Sequence, residues 1–148
     1  MGEQMTWTVP EVSRVDEPFA AGERAILEGF LEWHRATLLW KCAGLTGEQL
    51  PRRPVPPSSL SLLGLVRHMA DVERAWFRRY LRGYELAAVY ERAGRPDAAF
   101  EEARAEAAEA DFAHLTAESG LARTAAADLS LDSQFTYQGH GPYSLRWV

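Results

Sequence analysis

Between the paired prolines Pro56 and Pro57 and the glycine at 83, apolar side chains fall at Leu62, Leu65, Val66, Met69, Val72, Trp76 and Tyr80. Steps of three and four residues put them on one side of a helix, so this stretch predicts a long amphipathic helix ending near Arg82 and capped by Ser58 or Ser59. Nowhere do apolar and polar residues alternate long enough to make a sheet. The expected fold class is therefore all-α, with long antiparallel helices arranged as a bundle.

Two more helices have the same spacing. From about Phe19 to Ala43 the face is Leu27, Phe30, Leu31, Leu38 and Cys42, with Asp16 and Pro18 as start signals and Gly44 as the stop. From Asp97 to about Ala117 it is Phe100, Ala103, Ala107, Phe112 and Leu115, with Gly120 ending the helix. Thr46-Gly47-Glu48-Gln49 matches a capping box, limited to one turn by Pro51. Residues 83–96 read as a loop and 121–142 as a long connection with a hairpin-like piece at Phe135-Thr136-Tyr137. Ser144-Leu145-Arg146-Trp147-Val148 reads as the cap and first turn of another helix. A chain of 148 residues fits one domain, 1–148, comprising an extended arm over 1–15, pinned by Trp7, and a bundle over 16–148.

Sixteen basic against twenty-one acidic side chains leave a formal net charge of −5, the wrong sign for binding nucleic acid or an anionic membrane through bulk charge. The single cysteine, Cys42, excludes an intrachain disulfide and a multi-cysteine zinc site, and suits a reducing compartment. Met1-Gly2-Glu3-Gln4-Met5 lacks the basic start and apolar run of a signal peptide, with Met5 an alternative start, and no stretch approaches the roughly 18 apolar residues of a membrane span. A cytoplasmic protein is expected.

A Gly-rich phosphate loop, an H-E-x-x-H zinc helix and a G-x-S-x-G elbow are all absent, which leaves the histidines. His68 lies beside the apolar stripe of the second helix and should point into the bundle. The plainer reading is a satisfied core histidine; the functional one is a metal ligand, which needs partners from other helices. His34, between Leu31 and Leu38, reads as packed core, although it could lie near His68. His114 suits the dipole at a helix C-terminus, and His140, between Gly139 and Gly141, reads as a solvated loop residue. Cys42 reads as a small buried hydrophobe, and Arg67 with Asp71 as a surface pair. Trp33, Trp40 and Trp76 are core material or the lining of an apolar pocket.

Trp33-His34-Arg35-Ala36-Thr37-Leu38-Leu39-Trp40-Lys41-Cys42-Ala43-Gly44-Leu45, and then Pro56-Pro57-Ser58-Ser59-Leu60-Ser61-Leu62-Leu63-Gly64-Leu65-Val66-Arg67-His68-Met69-Ala70-Asp71-Val72-Glu73-Arg74, resemble a branch of the DinB-like superfamily. That branch is a largely actinobacterial family of unknown function related to mycothiol-dependent enzymes. The resemblance is strong from about residue 20 to 82, weak from 97, and resumes at Ser144-Leu145-Arg146-Trp147-Val148. It implies an up-down-down-up four-helix bundle, often a homodimer, with a divalent metal such as zinc or nickel held by three histidines.

His68 stands at the ligand position of the second helix. The other two ligands belong to a fourth helix, in a histidine motif that this sequence does not contain, so the fourth helix is expected to be largely missing after Val148 and the metal to be held weakly or not at all. The implied activity is a thiol S-transferase of the mycothiol or bacillithiol class, acting on a small-molecule thiol and an electrophilic substrate and incomplete in these 148 residues. The alternatives are a metal-free helical module for dimerisation or protein interaction, and a degenerate DinB-like protein. No catalytic residue follows from the resemblance.

Overall fold

The computed structural model describes residues 6–148; the reading of Met5 as a start lies outside them. Helix α1 is Glu23–Cys42. Helix α2 is Leu62–Glu73 and continues without a break as a π-helix over Arg74–Leu81. A short α3, Ala98–Glu101, and a 3-10 turn, Ala105–Ala107, lead into α4, Ala108–Ala126. Strands β1, Gln134–Tyr137, and β2, His140–Ser144, form an antiparallel hairpin, followed by a 3-10 turn over Leu145–Trp147. The chain is thus mostly helical with one small sheet, in agreement with the expected helical fold. No helix among the described residues is long and apolar enough to cross a membrane.

Several local signals act as expected. Gly44 ends α1 in the left-handed conformation, φ 76°. The capping box forms: the Thr46 amide donates to Gln49 Oε1 at 2.9 Å and the Gln49 amide to Thr46 Oγ1 at 3.3 Å. In the described part of the arm, Val9 exchanges backbone hydrogen bonds with residues 44–45, and Trp7 stands edge-on to Phe112 at 5.7 Å.

Other expectations need correction. Ser61, rather than Ser58 or Ser59, caps α2 by accepting from the Gly64 amide at 3.0 Å. The helix expected over 97–117 is broken at 102–104, and its second part runs through Gly120 to Ala126. A glycine stop is only a propensity, and here the buried face of Leu115, Glu118, Ser119, Ala122 and Ala125 carries the helix past it. Ser144 makes no side-chain cap and is followed by a 3-10 turn instead of an α-helical one. The hairpin-like piece expected at Phe135-Thr136-Tyr137 is there: it lies in β1, and a two-residue turn, Gln138-Gly139, with positive φ at both positions closes the hairpin.

The buried face of α2 is rotated by one residue from the predicted stripe. Leu63, Gly64, Val66, Arg67, Ala70, Asp71 and Glu73 are buried, whereas Leu62, Leu65, Met69 and Val72 are half-buried and His68 is exposed. Apolar periodicity cannot find this face because three of its members are charged. Each has a partner: Arg67 donates to Asp111 at 3.2 Å and to the Ala99 carbonyl at 2.8 Å, and Asp71 accepts from the amides of Val89, Tyr90 and Glu91 at 2.6 to 2.9 Å. Arg67 and Asp71 are therefore not a surface pair; each ties α2 to a different segment. Tyr90 completes the group by donating to Asp111 at 2.8 Å, and its phenol pKa is raised by burial and by that carboxylate.

Candidate functional site

The cleft beside α1 follows from how that helix is attached. Its C-terminal end is anchored by packing, with Cys42 fully buried and Leu38 and Leu39 against the main core. Further towards the N-terminus, guanidinium groups make the cross-links. Arg35 donates through Nε and Nη2 to both oxygens of Glu73 on α2, each at 2.6 Å, and through Nη1 to Glu32 at 2.6 Å. Arg123 on α4 donates to both oxygens of Glu32 at 2.7 Å. Arg24 reaches the carbonyls of Leu129 and Ala126 at 2.6 and 2.8 Å, and Arg146 pairs with Glu23 at 2.6 Å.

Glu73, Arg35, Glu32 and Arg123 form a ladder of alternating charge that sums to zero. Its two ends differ: Glu73 is 3% exposed, while the Arg123 and Glu32 side chains are 52% and 41% exposed. The Arg123 guanidinium, opposed by partial burial and helped by Arg35, holds the Glu32 carboxyl below its usual range, and Glu32 in turn raises Arg123.

Two cavities flank this ladder. The larger, of about 820 Å³, lies between α1, the end of α4 and the C-terminal 3-10 turn, with Leu27, Phe30, Phe77, Ala122, Leu145 and Trp147 among its walls. The smaller, of about 400 Å³, lies between α1, α2 and α4 and is lined by Leu38, Leu39, Leu65, Met69 and Leu115. Leu31, Glu32, His34, Arg35 and Arg123 border both. Both volumes fall in the range of small-molecule sites.

Of the histidines singled out from the sequence, only His34 borders the cavities. It is exposed rather than packed, with its ring edge-on to Phe30 at 4.4 Å and to Trp33 at 5.1 Å. His68 lines neither cavity and is exposed instead of pointing inward, its ring tilted over Phe100 at 5.6 Å. His34 and His68 share no cavity wall. His114 lies in the middle of α4, because the helix runs past Gly120, and stands 3.5 Å from Glu118. His140 is exposed at the start of β2.

Cys42 is fully buried, and burial pushes its thiol up to about 11, which keeps it protonated and unreactive near neutral pH. The three tryptophans do not converge. Trp33 and Trp40 lie under Arg14, at 5.0 and 4.1 Å, while Trp76 packs with Tyr80, Tyr137 and Trp147. Neither cavity is lined by any of the three.

Among the described residues no group of three or more His, Cys, Asp or Glu side chains is placed to hold an ion, so they do not by themselves fit one. His68 supplies a single imidazole.

Sequence reasoning missed Glu73, Asp111 and Glu118, three buried carboxylates that organise α2 and α4. Glu118, 2% exposed, accepts from Arg74 at 2.6 Å and from Arg78 at 2.8 Å. Sequence separations of 38 to 44 residues hid these pairs; within the ladder, the Glu32 to Arg35 spacing alone lies inside one helix.

Comparison with known proteins gives one family match: the sequence model described as mycothiol-S-transferase covers residues 26–148, from α1 to the last 3-10 turn. No curated protein and no solved structure shows significant similarity to the chain.

Proposed function

The chain belongs to the mycothiol-S-transferase family within the DinB-like superfamily, and from that membership we propose that it transfers groups to or from the sulfur of a small thiol of the mycothiol or bacillithiol kind, in the cleft beside α1. The observation that carries this reading is the extent of the match, which takes in nearly every residue bordering the two cavities. The thiolate is the reactive form of a thiol, so such a site needs a place for the sulfur, a place for the electrophile and a group that accepts the proton. In this reading the cleft holds both reactants, and His34, in the wall common to both cavities, takes the proton.

The complete arrangement proposed is the up-down-down-up bundle of the superfamily, in a cytoplasmic enzyme. His68 stays in the proposal as one ligand for a zinc or nickel ion. Such an ion, when bound, favours the thiolate of a coordinated thiol. Because the described residues supply no second ligand, no step here is routed through it.

The test is turnover of mycothiol and of bacillithiol with chlorodinitrobenzene, followed by absorbance, with and without added zinc or nickel. Transfer well above the uncatalysed rate is expected, with His34→Gln lowering kcat about 100-fold at unchanged circular dichroism. Metal content measured before and after His68→Ala tests the ligand separately. No transfer under any metal condition would overturn the reading. A second reading, a helical module that pairs with another copy of itself, is favoured by Leu27 and Phe30 on α1, which stand 37% and 52% exposed. Sedimentation that shows a tight dimer together with absent transfer would favour it.

A further inference from the structure

We infer that residues 10–21 are a strap that closes one side of the smaller cavity, latched by Arg14, and that it swings away between two fixed ends to admit a molecule. The inference goes beyond the thiol-transfer reading and does not depend on it. The family match begins at residue 26, so the strap lies outside the part of the chain that the match covers.

Both ends are fixed through the backbone. At one end, Val9 donates to the Leu45 carbonyl and accepts from the Gly44 amide, each at 2.9 Å. At the other, the Gly22 carbonyl accepts from the Ile26 amide at 3.2 Å, in the first turn of α1. Among the described residues, no backbone hydrogen bond involves residues 10–21. Within the strap only Val12 and Glu17 are half-buried, and Val15 and Phe19 are 77% and 85% exposed. A segment with so few bonds and so little buried apolar surface opens far more easily than the helices around it.

Side chains hold it along one face of α1. Gly29, Trp33, Ala36 and Trp40 follow one another at steps of four, three and four, which lines them up along the helix. The Arg14 guanidinium lies over Trp40 at 4.1 Å and over Trp33 at 5.0 Å, both within cation–π range. At Gly29 a Cβ would stand 2.9 Å from Pro18 Cδ and 3.0 Å from Glu17 Cβ, so the missing side chain is what lets the strap lie on the helix there.

Between the Val9 clamp and the Arg14 latch, Val12 enters the wall of the smaller cavity, which Ala36 also lines. Every other lining residue comes from α1, α2 or α4. Val12 is therefore the part of that wall which can leave without moving a helix, and Arg14, two residues further on, decides when it does.

The test uses the full chain carrying Ser119→Cys, a change of similar size at a residue 6% exposed in the wall of the smaller cavity only. Two rates are measured at neutral pH: labelling of the new thiol by a maleimide, and thermolysin cleavage before Val12 and Val15, which requires the strap to be off the helix. Cys42, fully buried in the main core, is the internal reference, because its labelling reports opening of the core instead of the strap. Mass spectrometry of the peptides reads the two thiols separately.

Arg14→Ala removes both cation–π contacts and is expected to raise labelling at position 119 and cleavage of the strap about fivefold or more. Gly29→Ala improves the helix while pushing Glu17 and Pro18 off it, and should raise both rates about twofold or more. Labelling of Cys42 should stay within about twofold of its original rate in both variants. Unchanged rates in Arg14→Ala would overturn the inference, as would unchanged cleavage in a Gly29→Ala chain with normal circular dichroism. So would faster cleavage without faster labelling at position 119, which would leave the strap no part in closing the cavity, or a matching rise at Cys42, which would mean that the core opens as a whole. None of these readouts involves turnover, so failure here and failure of thiol transfer are told apart.

Discussion

Replacing Glu73 with Gln tests what positions α1. The side chain stays the same size and can still donate or accept, but the charge opposite Arg35 disappears. Glu73 is 3% exposed and the Arg35 side chain 11%, so the guanidinium is left largely buried with one partner, the half-exposed Glu32. Breaking a buried ion pair from one side costs about 3 to 5 kcal/mol; the surviving Glu32 bond puts this case near the lower end, about 3 kcal/mol. Arg123→Ala cuts the other rung, where both side chains are 41% exposed or more, and a surface pair of that kind contributes about 0.2 to 1 kcal/mol. For a domain of this size each kcal/mol moves Tm by roughly 2 to 4 °C, so Glu73→Gln should lower Tm by about 6 to 12 °C and Arg123→Ala by no more than about 4 °C.

The two also differ in their response to solution conditions. Glu32 has a folded pKa below its ordinary value of 4.5, so the stability it draws from Arg123 is present above that value and is lost as pH falls through the folded pKa. The gap between wild type and Arg123→Ala should therefore close in acid, and should shrink in high salt while the Glu73→Gln gap persists. Urea and thermal melts measure both. If Glu73→Gln costs no more than Arg123→Ala, α1 is not held by its buried rung. A double variant, Arg35→Met with Glu73→Leu, should cost less than the sum of the single changes, because it leaves no charge stranded.

Two other predictions concern the core. In Gly64→Ala the new Cβ would stand 2.3 Å from the Phe100 ring and 3.0 Å from its Cα, so α3 must move. Overpacking of about 1 to 3 kcal/mol outweighs the gain of up to about 1 kcal/mol in helix propensity, and a raised Tm would contradict this. The Cys42 thiol, pushed from 9.0 to about 11, stays protonated in the folded chain while the unfolded chain ionises first. The thiol's share is a fall in stability as pH rises above 9.0, by about 2 to 3 kcal/mol near the folded value, and Cys42→Ala should remove that share in urea melts, most cleanly between pH 9.0 and 10.0, below the range where Tyr90 adds a slope of the same sign.

The sequence made the helices legible, and with them the capping box and the left-handed stop at Gly44, because each depends on neighbours a few residues apart. It did not reveal which face of α2 turns inward, since Arg67, Asp71 and Glu73 look like solvent-facing residues until Asp111, the loop amides and Arg35 are brought to them. The same limit applies to the site. His34 and Arg35 stood in the motif that carried the family resemblance, but their place between two cavities depends on Glu73 and Arg123, which only the fold brings to α1. The end of α4 was misjudged for the opposite reason: Gly120 is a local signal that tertiary packing overrides.

Where Arg35 and Arg123 bridge α1 to α2 and α4, a guanidinium spans the gap, and that makes an arginine here behave as a strut. In a helix pair held by interdigitating leucines, any change in side-chain volume shifts the spacing. Where a fork of fixed geometry on a four-bond stem spans the gap, exposed lining residues such as Leu27 and Phe30 can change size while the bridge keeps its width. The scaffold is built so that what the cleft accepts can drift without α1 having to be repositioned.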